Sequence, residues 1–163
     1  MKKTITTFIL VLAVAFAHSQ SPLPKGSKQV NFGLGFSSHG IPIYGGMDFA
    51  VHDNVSVGFD LSYRGYNNNE YKHSIFGIAG RVDYHWNKLL NIPANWDFYA
   101  GANIGFSIWS EPDDNYHGDD YSGLGLGIQV GGRYYFNDNW GINLELGGGN
   151  RMSGGRIGMS YKF

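Results

Sequence analysis

Residue parity divides this chain, from residue 28 to residue 163, into an apolar set and a polar set. In the last run Ile157, Met159, Tyr161 and Phe163 share one parity, while Gly158, Ser160 and Lys162 take the other. A period of two is the mark of strands, whose successive side chains point to opposite faces. The alternation recurs in seven earlier runs. Val30, Phe32, Leu34 and Phe36 oppose Gln29, Asn31, Gly33 and Gly35; Ile43, Met47, Phe49 and Val51 oppose Tyr44, Asp48 and His52. Val55, Val57, Phe59, Leu61 and Tyr63 oppose Asp60 and Arg64. Phe76, Ile78, Val82, Tyr84 and Trp86 oppose Arg81, Asp83 and His85. The second half repeats the design. Phe98 to Ile108 oppose Tyr99, Gly101, Asn103 and Gly105; Leu124 to Phe136 oppose Gln129, Arg133 and Tyr135; Trp140, Ile142, Leu144 and Leu146 oppose Asn143 and Glu145.

Eight runs, an even number with no linker, predict one all-β domain. The connections alternate in kind. His52-Asp53-Asn54 and Asn137-Asp138-Asn139 read as tight turns, whereas Gly65–Ser74 and Ser110–Tyr121 are longer and rich in Asn, Asp and Tyr. Short turns at one end and long loops at the other are the pattern of a transmembrane barrel, with the turns in the periplasm. Asn87–Asp97 departs from it: it belongs to the turn end but is long, with apolar Leu89, Leu90 and Ile92. A partner contact or a small tucked hairpin would each account for it.

Which parity faces inward is decided by the aromatics and the charges. Trp86, Trp96, Phe98, Phe136, Trp140 and Phe163 all have apolar parity and all fall at strand ends on the turn side. That is an interfacial girdle, where amphipathic rings sit at headgroup level. A soluble eight-stranded binder would instead turn its apolar face inward and its charges outward. The expected fold is therefore an eight-stranded antiparallel up-and-down transmembrane β-barrel over residues 28–163.

The chain start fits export. Lys2 and Lys3 precede an apolar run from Phe8 to Ala17 and the small stretch Ala17-His18-Ser19, the order of a signal peptide, here residues 1–19. The run is too short to span a bilayer as a helix. With no Cys in the chain, a lipoprotein anchor is not expected. Residues 20–27 would start in the periplasm. A formal charge of -1 argues against a nucleic-acid partner. The mean hydropathy of -0.25 is compatible with a barrel, where only alternate residues meet lipid.

The inward parity collects Asp48, Asp60, Asp83 and Glu145 against Arg64, Arg81, Arg133, Arg156 and Lys162, with His52, His85, Gln129 and three tyrosines among them. Eight strands leave an interior just wide enough for side chains to fill. Charges are tolerated there only if paired. The expectation is a polar plug with no continuous pore; a narrow water or ion path is the alternative. Gly123, Gly125 and Gly127 look like a nucleotide loop, but no helix pattern follows. Inward glycines instead make room for bulky neighbours.

Catalytic signals are weak. Candidates are His73-Ser74, His117 with Ser122, and His39 beside Ser38, and none has an acid placed to orient the His. The stretch from Glu111 to Asp120 holds five acids, a density that suits Ca²⁺. Counting from Asp113, however, the bidentate Glu position of an EF-hand falls on Leu124. Catalytic, cofactor and metal residues are therefore all expected to be none.

Ala17-His18-Ser19-Gln20, the stretch Asn87 to Pro93, Arg133-Tyr134-Tyr135-Phe136 and Ser160-Tyr161-Lys162-Phe163 carry a resemblance. In these the chain resembles the small outer-membrane β-barrels of the OmpA/OmpX/porin-like superfamily, Bacteroidota type. The resemblance implies location in the bacterial outer membrane and contact with outer-membrane lipid or lipopolysaccharide. It also implies insertion by the barrel-assembly machinery, with Tyr161 and Phe163 as the assembly signal. No peptidoglycan-binding domain is expected after the last strand. The functional expectation is a non-enzymatic envelope protein, or an accessory subunit beside other outer-membrane proteins. A narrow channel and a lipid A-modifying enzyme are the alternatives.

Overall fold

The computed structural model describes residues 22–37, 40–68, 71–110, 122–150 and 154–163. The expected signal peptide, His39 with Ser38, His117, the acidic stretch and the His73 side chain lie outside the described residues. Period-2 runs rich in β-branched and aromatic residues become strands. These are β1 (Lys28–Phe36), β2 (Ile43–His52), β3 (Val55–Asn68), β4 (Tyr71–His85), β5 (Trp96–Ser110), β6 (Gly123–Tyr135), β7 (Trp140–Gly149) and β8 (Gly154–Lys162). Each pairs antiparallel with the next. β8 returns to β1 in register from Gln29↔Lys162 to Phe36↔Gly155, so the sheet closes with no edge.

The parity expected from the sequence is the parity observed. Phe32, Leu34, Phe59, Ile78, Ile104, Leu126, Ile142 and Ile157 are exposed on the outer face, while Gln29, Asp48, Asp83, Tyr99, Arg133 and Ser160 are buried. So continuous an apolar exterior is far larger than a soluble monomer shows. A closed barrel satisfies its backbone groups internally, which lipid demands. The six girdle residues lie on this outer face, and neighbouring rings touch: Trp96 with Phe98 at 5.6 Å, Trp96 with Tyr134 at 4.8 Å, Trp140 with Tyr161 at 4.8 Å between centroids.

Three connections differ from the sequence expectation. Gly65–Asn68 and Tyr71–Ser74, expected as part of a loop, continue β3 and β4, the ladder running on through Gly65↔Ser74 to Asn68↔Tyr71. Beyond the lipid boundary a strand need not alternate, so polar residues prolong the ladder without leaving a period-2 trace. His52, expected inward, sits exposed after a bulge between Ala50 and His52. Its Nδ1 accepts from the Asn54 amide at 3.3 Å. Asn87–Asp97 is no hairpin. It opens with a one-turn helix, α1 (Asn87–Leu90), ended by Asn91 at φ 51.

The strands are unequal. β1, β2, β7 and β8 have 9 or 10 residues, enough to cross a bilayer; β3 to β6 have 13 to 15. The excess length lies at the loop end, so one side of that rim stands higher.

Candidate functional site

Among the described residues, the lumen is where the fold gathers charged side chains from most strands. β4 supplies Arg81, whose Nε donates to Asp83 at 2.7 Å, Nη1 to Asp60 at 3.1 Å and Nη2 to Glu145 at 2.7 Å. From β8, Arg156 donates to Glu145 at 2.7 Å and to Asp60 at 2.9 Å. Nearer the turn end, Arg133 bridges Asp97 and Asp48, both at 2.8 Å. The Tyr99 ring joins the two tiers. The Arg133 guanidinium stacks on it at 4.1 Å, and its hydroxyl donates to Glu145 at 2.8 Å.

Five carboxylates (Asp48, Asp60, Asp83, Asp97, Glu145) thus face three guanidiniums. With fewer guanidiniums than carboxylates in the cluster, donors other than arginine also converge on the acids. Asp83 accepts from Gln129 at 2.8 Å, and Asp48 from Asn31 at 2.9 Å. Asp97 accepts from His85 Nδ1 at 2.8 Å. In a low-dielectric interior a carboxylate short of donors is costly, and each such bond lowers that cost.

The sequence-derived set divides. Asp48, Asp60, Arg81, Asp83, Arg133, Glu145 and Arg156 form the connected cluster. Arg64 and Lys162, expected to pair with these acids, do not. Arg64 lies a tier above them, where its Nη1 donates to Ser37 at 2.8 Å. Lys162 sits at the turn end, 3.8 Å over the Tyr135 ring, and donates to the Pro22 carbonyl at 3.0 Å. Height in the barrel separates them from the acids, and parity carries no information about height.

Two parts of the network escaped the sequence reading. One is Asp97, which closes the Asn87–Asp97 connection in the sequence pattern although it shares the inward parity of Tyr99. The other is Ser56–His85–Asp97, with Ser56 Oγ 2.9 Å from His85 Nε2. A carboxylate only accepts, so His85 Nδ1 carries the proton and, in the neutral ring, Nε2 accepts from the serine hydroxyl. The order is that of a hydrolytic triad. Yet Ser56 is 1% exposed and Arg133 holds the far side of Asp97. The arrangement ties β3, β4, β5 and β6 together, with all three side chains buried.

Above the cluster a cavity of about 150 Å³ faces the loop end. Arg64, Ser62 and Ser107 line its walls, and Asp60, Arg81, Glu145 and Arg156 its floor. None of Asp48, His85, Asp97 or Arg133 lines it, so it stops at the upper ion-pair tier. The other mouth is covered. Residues 22–27 fold beneath it, with Leu23 1% exposed and the Gly26 amide donating to the Ala50 carbonyl at 2.8 Å. Among the described residues no cluster of His, Asp and Glu suits a metal ion.

No protein-family model and no curated protein matches the sequence. Solved structures do match. The N-terminal β-barrel domain of Pseudomonas aeruginosa OprF superposes with a TM-score of 0.61 at 16% identity, covering 85% of this chain and 98% of that one. OprG from Pseudomonas aeruginosa gives 0.62 at 9% identity, over 86% and 97%. A de novo designed transmembrane β-barrel gives 0.56 at 18%, over 85% and 97%. A designed chain reaches the same shape, so pattern and closure suffice for it without common descent. The protein has the fold of the small eight-stranded outer-membrane β-barrels.

Proposed function

We propose that the protein is a non-enzymatic integral outer-membrane barrel with a closed lumen, acting as an envelope structural protein or as an accessory subunit of an outer-membrane complex. The observation that carries this reading is the cross-linked pair of ion-pair tiers, from Arg156 through Arg81 and Tyr99 to Arg133 and Asp97, on which the outer cavity ends. Opening a path would separate guanidiniums from carboxylates in a confined interior, where breaking one such pair costs several kcal/mol. Purified barrel in a planar bilayer is expected to show no stable conductance steps. Reproducible single-channel openings would overturn the proposal and favour the narrow conduit, for which the outer cavity would be the vestibule.

Lipid A modification is the weaker alternative, because the serine, histidine and acid that do assemble face a closed lumen. Lipid A mass spectra with and without the protein should be identical. Co-purification from native membranes in mild detergent separates a free-standing barrel from a subunit.

A further inference from the structure

The connection between β4 and β5 presents apolar side chains that the barrel does not use. Leu89 and Leu90 are 61% and 62% exposed. They lie between Trp86 and Trp96, two of the outward girdle rings. The backbone fixes their direction. In α1 the Leu90 amide donates to the Trp86 carbonyl at 2.9 Å, an i to i−4 bond that places Leu90 on the same face as Trp86. Asn87 is buried, its side-chain Nδ2 donating to the Trp96 carbonyl and its Oδ1 accepting from the Phe98 backbone amide at 3.2 Å. With Asn87 turned inward, a helical step of about 100° per residue sends Leu89 to the opposite side. The segment is held in this form by further bonds, Ile92 N to Asn87 O and Trp96 N to Pro93 O, both at 2.9 Å.

We propose that this connection is a membrane-interface anchor, which lays Leu89 and Leu90 into the phospholipid headgroup region of the leaflet around the turn end. The inference rests on the reading that the barrel spans a bilayer. Continuity identifies the occupant. Trp86 packs edge-on against Tyr84 at 5.1 Å and Trp96 stacks on Phe98 at 5.6 Å, so lipid that wets these rings already reaches both ends of the connection. A short turn with leucines on one side and aromatic flanks suits the boundary between acyl chains and headgroups. Lys88, exposed in the same turn, can reach lipid phosphate while its stem covers apolar surface.

The chain has no cysteine, so single-cysteine variants report cleanly. Leu90→Cys, Asp138→Cys and Ile128→Cys would each carry an environment-sensitive fluorophore, in vesicles of phosphatidylethanolamine and phosphatidylglycerol at high lipid-to-protein ratio. Asp138 is the aqueous control in a tight turn at the same end, and Ile128 the control for the lipid-facing wall. The label at 90 is expected to emit to the blue of that at 138 and to be quenched by lipid carrying a headgroup-proximal doxyl group. If the label at 128 reports lipid while that at 90 matches 138, the anchor is overturned and the barrel reading stands. Water exposure at 128 as well would overturn both. Shielding at 90 that fades on diluting the protein in lipid would overturn the anchor and identify a second copy as the occupant.

Discussion

The Tyr99 ring lies over the α-carbon of its cross-strand partner Gly131, so closely that a methyl group on Gly131 would stand 2.3 Å from the phenol oxygen. The ring cannot easily yield, since Arg133 stacks on it and its hydroxyl donates a hydrogen bond to Glu145. Gly131→Ala is therefore expected to destabilise the barrel by about 1–3 kcal/mol, the usual cost of overpacking a filled interior. Gly148→Ala, with nothing within 4 Å of the added carbon, should be neutral or slightly stabilising. Urea titrations of both variants folded in lipid vesicles check the contrast.

Ile128 and Gln129 test which face meets lipid. Ile128 is 69% exposed on the outer wall, and Gln129 is buried beside Asp83. Ile128→Arg should cost about 2–4 kcal/mol, as expected for a cation near the bilayer midplane. Gln129→Arg should cost clearly less, because its charge joins a cluster with surplus carboxylates. Equal losses in a folding titration would mean that the parity is wrongly assigned.

Removing Arg81 should hurt more than removing Glu145. Arg81 lies within ion-pair distance of Asp48, Asp60, Asp83 and Glu145. Arg81→Met leaves these acids facing one another and is expected to cost about 3–5 kcal/mol. Glu145→Gln leaves Arg81 its three aspartates and Arg156 its bond to Asp60, so the loss should be smaller. Unfolding midpoints of the two variants decide it, and the reverse order would contradict an acid-rich lumen.

Deleting Tyr161–Phe163 removes one end of the β1–β8 seam, including the paired backbone bonds between Lys28 and Phe163 at 3.0 and 3.2 Å. An unpaired edge in lipid is very costly. The truncated chain should fail to reach the outer membrane and should lose the heat-dependent gel shift of a folded barrel. A normal shift would show that these residues serve neither closure nor assembly.

The strand count and the facing of nearly every strand residue, His52 after its bulge excepted, were legible in the sequence, because a strand's period is two and two solvents of opposite polarity select opposite parities. Even Asp97 obeys the rule, since β5 begins at Trp96, two residues before the apolar run that opens at Phe98. What parity could not supply is height and azimuth. Arg64 and Lys162 share the parity of Asp60 and Glu145, yet one stands above them and the other far below, held by Ser37 and by the Pro22 carbonyl.

Eight alternating runs in the sequence point to a barrel, and the positions of its aromatics and charges point to a lipid-facing wall around a charged interior. Which charges meet is set by the closure of the barrel. Arg81 and Glu145 are 64 residues apart and touch because strand tilt and closure bring β4 and β7 together across the lumen. The structure likewise decided that Asn87–Leu90 forms a helical turn instead of a hairpin. A single turn of helix has no period long enough to read, and its shape is set by the Asn87 side chain bonding to β5.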